Sequence, residues 1–138
     1  MKVAQVMTKD VRMTSPDQTI REAARTMSEE DVGVLPVAEN DQLVGMITDR
    51  DIAIRAVAEG KGPEAKVRQV MTDQVKYCFE DEELDHVAKN MANIQMRRLP
   101  VMNRDKRLVG IVSLGDLAMA RGQGTQAQQA LRGVSRSG

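Results

Sequence analysis

The chain has 138 residues, and its twenty basic side chains balance twenty acidic ones. That balance lacks the basic footprint of a dedicated nucleic-acid binder, and one cysteine with one histidine excludes an internal disulfide and a Cys/His zinc cluster. Apolar residues make up 41% but aromatics only 1%, so the core must be built from Val, Ile, Leu, Ala and ten methionines, which fill irregular gaps.

No apolar run reaches the length of a membrane span, and the first residues carry no signal-peptide apolar block. The expectation is a soluble, cytoplasmic protein. The chain opens on Val3-Ala4-Gln5-Val6-Met7-Thr8, a short helical lead-in, followed by a short strand candidate at residues 11–14. Ile20, Ala23, Ala24 and Met27 fall at i, i+3, i+4 and i+7, the apolar stripe of an amphipathic helix. Asp17 and Thr19 introduce it, with Glu22 three residues after Thr19 as in a capping box. Residues 34–38 and 43–48 read as a hairpin around the polar turn Glu39-Asn40-Asp41-Gln42. Pro36 and its later counterpart Pro100 are awkward inside a strand, which places them at a strand start or an edge. Ile52, Ala53, Ala56 and Val57 then give a helix stopped by Gly60-Lys61-Gly62-Pro63.

The pattern then starts again. Val67-x-Gln69-Val70-Met71-Thr72 repeats the lead-in at an offset of 64 (Val3 to Val67). Leu84, Val87, Ala88 and Met91 repeat the helical stripe behind an acidic lead, Glu80 to Glu83, that suits a helix N-terminus. Leu35-Pro36-Val37 returns as Leu99-Pro100-Val101. The second copy gains one residue in its turn. The stretch Leu43-Val44-Gly45-Met46-Ile47-Thr48-Asp49-Arg50-Asp51 therefore returns as Leu108-Val109-Gly110-Ile111-Val112-Ser113-Leu114-Gly115-Asp116 at an offset of 65. The boundaries read as 1–62 for the first repeat, 63–121 for the second, and 122–138 for a flexible or partly helical tail. Each repeat is β-α-β-β-α and too small to stand alone comfortably. The predicted fold is α+β, with the repeats packed sheet to sheet about a pseudo-twofold axis.

In both copies an apolar run ends on a hydroxyl residue, and an aspartate follows three positions later: Thr48 and Asp51, then Ser113 and Asp116. A carboxylate accepts two hydrogen bonds at once, which suits a vicinal diol. A helix N-terminus attracts phosphate through its unpaired N–H groups, but an aspartate there repels it, so cations must help. Arg50, Arg55, Arg97 and Arg98 are available. Arg97 and Arg98 stand opposite Gly33 and Val34 of the first copy, so two sites of this kind would be unequal: Gly33 leaves space, and Arg97 brings charge and bulk. Thr/Ser-x-x-Asp ahead of an apolar helix is also a capping box, and the two roles are compatible.

The remaining polar residues carry less. His86 reads as a surface helix residue, Cys78 as a small buried apolar one, and Asp81-Glu82-Glu83 as a solvated helix start rather than a metal site. The sequence offers no nucleophile–base–orienter set, no glycine-rich phosphate loop and no metal-ligand cluster. No catalysis, metal or required cofactor is expected.

The repeats, with Leu-Pro-Val on one strand and Gly-h-h-Thr/Ser-x-x-Asp (h, apolar) closing the next, resemble a tandem pair of CBS domains (a Bateman module) over residues 1–121. The wording Thr48-Asp49-Arg50-Asp51-Ile52-Ala53-Ile54-Arg55 is similar to stand-alone bacterial members of that family. The resemblance implies a regulatory module that binds adenosine-containing ligands (AMP, ADP, ATP, S-adenosylmethionine or an NAD-type molecule) in clefts between the repeats. It also implies roles for particular residues. Asp51 and Asp116 would hold ribose hydroxyls, and Thr48 and Ser113 would assist with ribose or phosphate. Val32, Gly33, Met96 and Arg97 would line the pockets, and Met46 and Ile111 would face the base. It further implies a homodimer, for which Ile52, Ala56 and Val57, or Leu117 and Met119, offer apolar faces, and an unnamed protein partner. The competing reading is a constitutive dimerisation or docking module with empty clefts.

Overall fold

The protein is described here by a computed structural model covering residues 1–94 and 97–121. Met96 and the tail at 122–138 lie outside the described residues. The fold is mixed α+β. Two compact units divide the chain, one of residues 12–75 and the other of residues 1–11 with the chain from Lys76 onward.

In the unit of residues 12–75, helix α1 (Ile20–Glu30) starts at the expected capping box: the Thr19 hydroxyl accepts from the Glu22 N–H at 3.1 Å, and Glu22 Oε1 accepts from the Thr19 N–H at 3.3 Å. The helix ends at Asp31, which adopts a left-handed φ of 54° and brings the Val32 N–H to the Met27 carbonyl at 3.0 Å. Strands β1 (Val34–Glu39) and β2 (Gln42–Thr48) pair antiparallel. Asn40 and Asp41 form the two-residue turn between them, with φ of 54° and 64°, as a tight hairpin requires. Helix α2 (Asp49–Asp51) continues into a π-helical stretch, Ile52–Val57. Gly60, at φ 78°, then lets the Lys61 N–H reach the Ala56 carbonyl at 2.8 Å and close the helix end.

The other unit repeats the plan. Strand β3 (Cys78–Phe79) runs parallel to β4 (Arg98–Met102), which pairs antiparallel with β5 (Leu108–Ser113), and α3 (Leu84–Ile94) and α4 (Leu114–Arg121) complete it. Its core joins Cys78, Leu84, Val87, Met91, Leu99, Val101, Val112 and Leu117. The first unit's core joins Ile20, Met27, Leu35, Val37 and Ile47.

The first strand is shorter than the sequence predicts. Residues 11–14 make a single parallel bridge, Thr14 with Val37, in which the Thr14 N–H donates to the Pro36 carbonyl at 3.0 Å. Extending that ladder backwards would need an N–H from Pro36, which has none. Pro100 stands in the same place behind the Cys78–Val101 pair and truncates β3 likewise. Both prolines lie inside their strands rather than at the start, on a flank that carries no further ladder.

The spatial units do not follow the sequence repeats, because the lead-ins are exchanged. Val3, wholly buried, belongs to the core of α3, β4 and β5, and the Val3 N–H donates to the Glu82 carbonyl at 3.0 Å. Val67 and Val70, also wholly buried, belong to the core of α1, β1 and β2, and the Val67 N–H donates to the Gln18 carbonyl at 2.8 Å. Each lead-in ends by bridging the third strand of its unit: Thr8 pairs with Ile111, and Thr72 with Met46. The glycines of the repeated motif answer to this crossing. A Cβ on Gly45 would lie 2.8 Å from the Thr72 carbonyl oxygen, and one on Gly110 would lie 2.9 Å from that of Thr8.

Candidate functional site

The residues singled out by the repeated motif gather at two mouths, one in each unit, where the third strand turns into the last helix. At the first, the Thr48 hydroxyl accepts from the Asp51 N–H at 2.9 Å, and Asp51 Oδ2 accepts from the Thr48 N–H at 3.0 Å. The Asp49 N–H donates to the Gly33 carbonyl at 2.9 Å, which ties the segment before β1 to the start of α2. At the second, the Ser113 hydroxyl accepts from the Asp116 N–H at 3.1 Å, and Asp116 Oδ2 accepts from the Ser113 N–H at 3.0 Å. There the Leu114 N–H donates to the Arg97 carbonyl at 3.0 Å. Both capping boxes are therefore complete, and Gly33 and Arg97 do sit beside their motifs.

Two expectations change. The helix N-terminus does not present a set of unpaired donors at the first mouth, since Gly33 O, Asp49 Oδ1 and the Thr48 hydroxyl take the N–H groups of Asp49, Arg50 and Asp51. Any anion at that place must be held by side chains. Nor does Gly33 leave space: a Cβ there would lie 3.0 Å from Asp49 Oδ2, so the Asp49 carboxylate already covers the glycine. Asp49 is the residue that the motif reading missed. The signal was present, because its counterpart is Leu114, an apolar residue buried in the core of its unit.

The charges differ accordingly. The first mouth carries two carboxylates, Asp49 and Asp51. The side chain of Asp51 is 16% exposed, and its Oδ1 faces Arg55 Nε at 3.9 Å. Arg55 also donates to the Met71 carbonyl at 3.2 Å, so its guanidinium is held away from the role of a free phosphate ligand. The second mouth carries one carboxylate, Asp116, and the exposed side chains of Arg97 and Arg98. Alanine stands at position 120, where the first copy has Arg55.

The other candidates stand as follows. Val32 uses its N–H at the end of α1 and packs its half-buried side chain on the core. Met46 is 9% exposed and exchanges two backbone hydrogen bonds with Thr72, at 2.9 and 2.8 Å. Ile111 does the same with Thr8, at 2.9 and 2.8 Å. The acidic run at 81–83 is engaged by protein groups. Asp81 takes a forked pair from Arg104 at 2.9 and 2.8 Å, Glu82 accepts from the Phe79 N–H at 2.9 Å, and Glu83 pairs with Lys2 at 2.9 Å. Among the described residues no cluster of His, Cys, Asp and Glu is arranged to hold a metal ion, and no helix is long and apolar enough to cross a membrane.

The CBS domain family matches residues 3–57 and again 67–122. The chain belongs to the CBS domain family. It is 41% identical over 133 residues to the CBS domain-containing protein YhcV of Bacillus subtilis, an alignment covering 96% of this chain and 94% of that one. Among solved structures it resembles CBSX2 in complex with AMP, with a TM-score of 0.78 at 26% identity, covering 88% of this chain and 96% of the other. It also resembles the CBS domain pair of protein MJ0100 in complex with 5′-methylthioadenosine and S-adenosyl-L-methionine, with a TM-score of 0.72 at 31% identity and the same coverages, 88% and 96%. Both of those solved structures hold adenosine-containing ligands.

Proposed function

We propose that this chain is a non-catalytic, cytoplasmic sensor of an adenosine-containing ligand (AMP, ADP, ATP or S-adenosylmethionine), with Asp51 and Asp116 as the ribose-binding carboxylates. The observation that carries the reading is the half-buried carboxylate at each mouth: its Oδ2 is fixed by the capping box, and acceptor capacity is left over. An ionised carboxylate has roughly four lone-pair sites, so one capping bond leaves room for a vicinal diol. The AMP and S-adenosylmethionine complexes of similar CBS structures support the same ligand class. Arg97 makes the second mouth the better home for a phosphate, while Asp49 opposes one at the first.

The test is a thermal-shift and calorimetry panel of AMP, ADP, ATP and S-adenosylmethionine on wild type, Asp51→Ala and Asp116→Ala. A ligand that binds only the folded state must raise its stability, by about 2.7 kcal/mol at a hundred times Kd. We expect AMP to stabilise wild type and Asp51→Ala, and to lose its effect in Asp116→Ala. Absence of any shift, with both aspartate variants less stable unliganded, leaves the caps as structure alone.

A second reading, a constitutive homodimerisation module, draws on the apolar faces of the last helices. The expected faces need correction, since Ala56 and Leu117 are wholly buried in their own cores. The side chains left outside are Ile54 at 45%, Val57 at 69% and Met119 at 89% exposure, and Ile54 and Met119 occupy matching positions of the two repeats. Analytical ultracentrifugation at micromolar concentration separates a dimer from a single chain, and Ile54→Lys with Met119→Lys tests these faces.

A further inference from the structure

A cavity of about 190 Å³ opens in the unit that contains β3, β4 and β5. Its floor is Cys78, Val87 and Leu99, each at most 3% exposed. Burial pushes the Cys78 thiol up to about 12, so the sulfur is neutral and the floor is apolar. Tyr77 forms one wall, held edge-on to Phe79 with ring centroids 5.5 Å apart, and 46% exposed. Arg97, Ser113 and Asp116 do not line it. The opening has a cause in the backbone: with no N–H on Pro100, β3 cannot extend back through Lys76 and Tyr77.

The rim is polar and its charges are unequally engaged. Glu82 reaches the cavity but is occupied: Oε1 accepts from the Phe79 N–H at 2.9 Å, and Oε2 lies 3.6 Å from His86 Nε2. Lys76 makes no ion pair among the described residues. The first repeat shows what that means. Its matching cation, Arg12, donates to Glu30 at 2.6 Å and lies 3.9 Å from Glu29, which ties it to the end of α1. In the second repeat those two acids are replaced by Asn93 and Ile94.

We propose that the second repeat carries a small-molecule site beside Lys76 and Tyr77, separate from the Ser113–Asp116 mouth, that takes a compact aromatic carboxylate. The ring lies over Cys78, Val87 and Leu99 against Tyr77, and the carboxylate meets the Lys76 ammonium; the Asn90 amide nitrogen, 3.3 Å from His86 Nε2, has a second N–H to donate at the rim. The volume is well below the roughly 300–1,000 Å³ of pockets for drug-sized ligands, so a single ring fits the site and a nucleotide does not.

The full-length chain is titrated with sodium benzoate, and in parallel with uncharged benzamide, while backbone amide NMR signals are followed. Benzoate is expected to shift the signals of residues 76–79, 87 and 90 saturably and to leave those of 48–51 and 113–116 in place. Benzamide is expected to bind more weakly. Lys76→Gln, an exposed substitution, should weaken benzoate about fivefold, the most an exposed ion pair carries, and Tyr77→Ala should weaken both probes. The idea is overturned by an absence of saturable shifts, by equal binding of the two probes, by indifference to Lys76→Gln, or by shifts centred on the two mouths. Any of these makes the cavity a packing gap only.

Discussion

Both repeats close their third strand with the same reciprocal cap, but the charges around the two caps are arranged oppositely. In the first repeat Asp49 covers Gly33 and joins Asp51, and Arg55 is drawn onto Asp51 and the Met71 carbonyl. In the second, Leu114 turns into the core, and Arg97 stands exposed beside the Ser113–Asp116 cap. The backbone plan is thus held constant by glycine, proline and the cap, while the charges placed around the two caps differ. At the start of each repeat the contrast recurs, with Arg12 paired to Glu30 and Lys76 without an ion pair among the described residues.

Cutting the chain tests the exchange of lead-ins most severely. If the lead-ins truly belong to the opposite repeat, a fragment of residues 12–75 keeps Val67, Val70 and Thr72 in its core and edge, whereas a fragment of residues 1–62 loses all three. A fully buried aliphatic side chain contributes about 1.5–3 kcal/mol, comparable with the whole stability of a unit this small. Fragment 12–75 should unfold cooperatively in urea, followed by circular dichroism, and fragment 1–62 should show no transition. A cooperative 1–62 fragment would refute the exchange.

Within the intact chain, Gly45→Ala and Gly110→Ala test the same crossing. Each adds a Cβ under 3.0 Å from a backbone carbonyl of the lead-in. Overpacking of that kind costs about 1–3 kcal/mol, to be read as a drop in the urea midpoint. Since Gly110 would also meet Met7 Sδ at 2.6 Å, against 2.9 Å for Met71 Sδ at Gly45, the second repeat should suffer at least as much.

Removing the caps probes the two mouths one at a time. Thr48→Ala and Ser113→Ala should each cost about 1 kcal/mol, the usual worth of an N-cap. Asp51→Ala should cost more than Asp116→Ala by up to about 0.5 kcal/mol, because it also removes the i,i+4 pair with Arg55. Equal losses would mean that Arg55 is anchored by the carbonyls of Val70 and Met71 alone.

Much of this architecture is legible in the sequence, and the exceptions have physical reasons. The stripe Ile20-Ala23-Met27, the Thr19–Glu22 box, the hairpins and the Thr/Ser-x-x-Asp caps report short-range geometry, which spacing encodes directly. The exchange of lead-ins is not encoded that way: an internal repeat shows that Val3 and Val67 do the same job, not which core each one enters. The short first strand was hidden because Pro36 acts on its neighbour, residues 11–14, rather than on its own strand. Gly33 read as empty space because a glycine in a sequence does not show what covers it. Beside the pairing of Gly33 with Arg97, that of Asp49 with Leu114 across the repeats marks the difference between the mouths.

The cations at the start of each repeat should matter least to stability. Arg12 and its two glutamates are about half exposed, so the pair with Glu30 at 2.6 Å operates in water and is worth about 0.2–1 kcal/mol. Arg12→Gln should lower the urea midpoint by a corresponding amount, less at high salt, where exposed charges are screened. Lys76→Gln, which breaks no ion pair among the described residues, should stay within about 0.5 kcal/mol of wild type at any salt, as surface substitutions do. A salt-dependent loss in Lys76→Gln equal to that in Arg12→Gln would show that Lys76 already has an acidic partner. The second repeat would then lack the uncompensated charge that distinguishes its cavity, and the two repeats would differ only at their mouths.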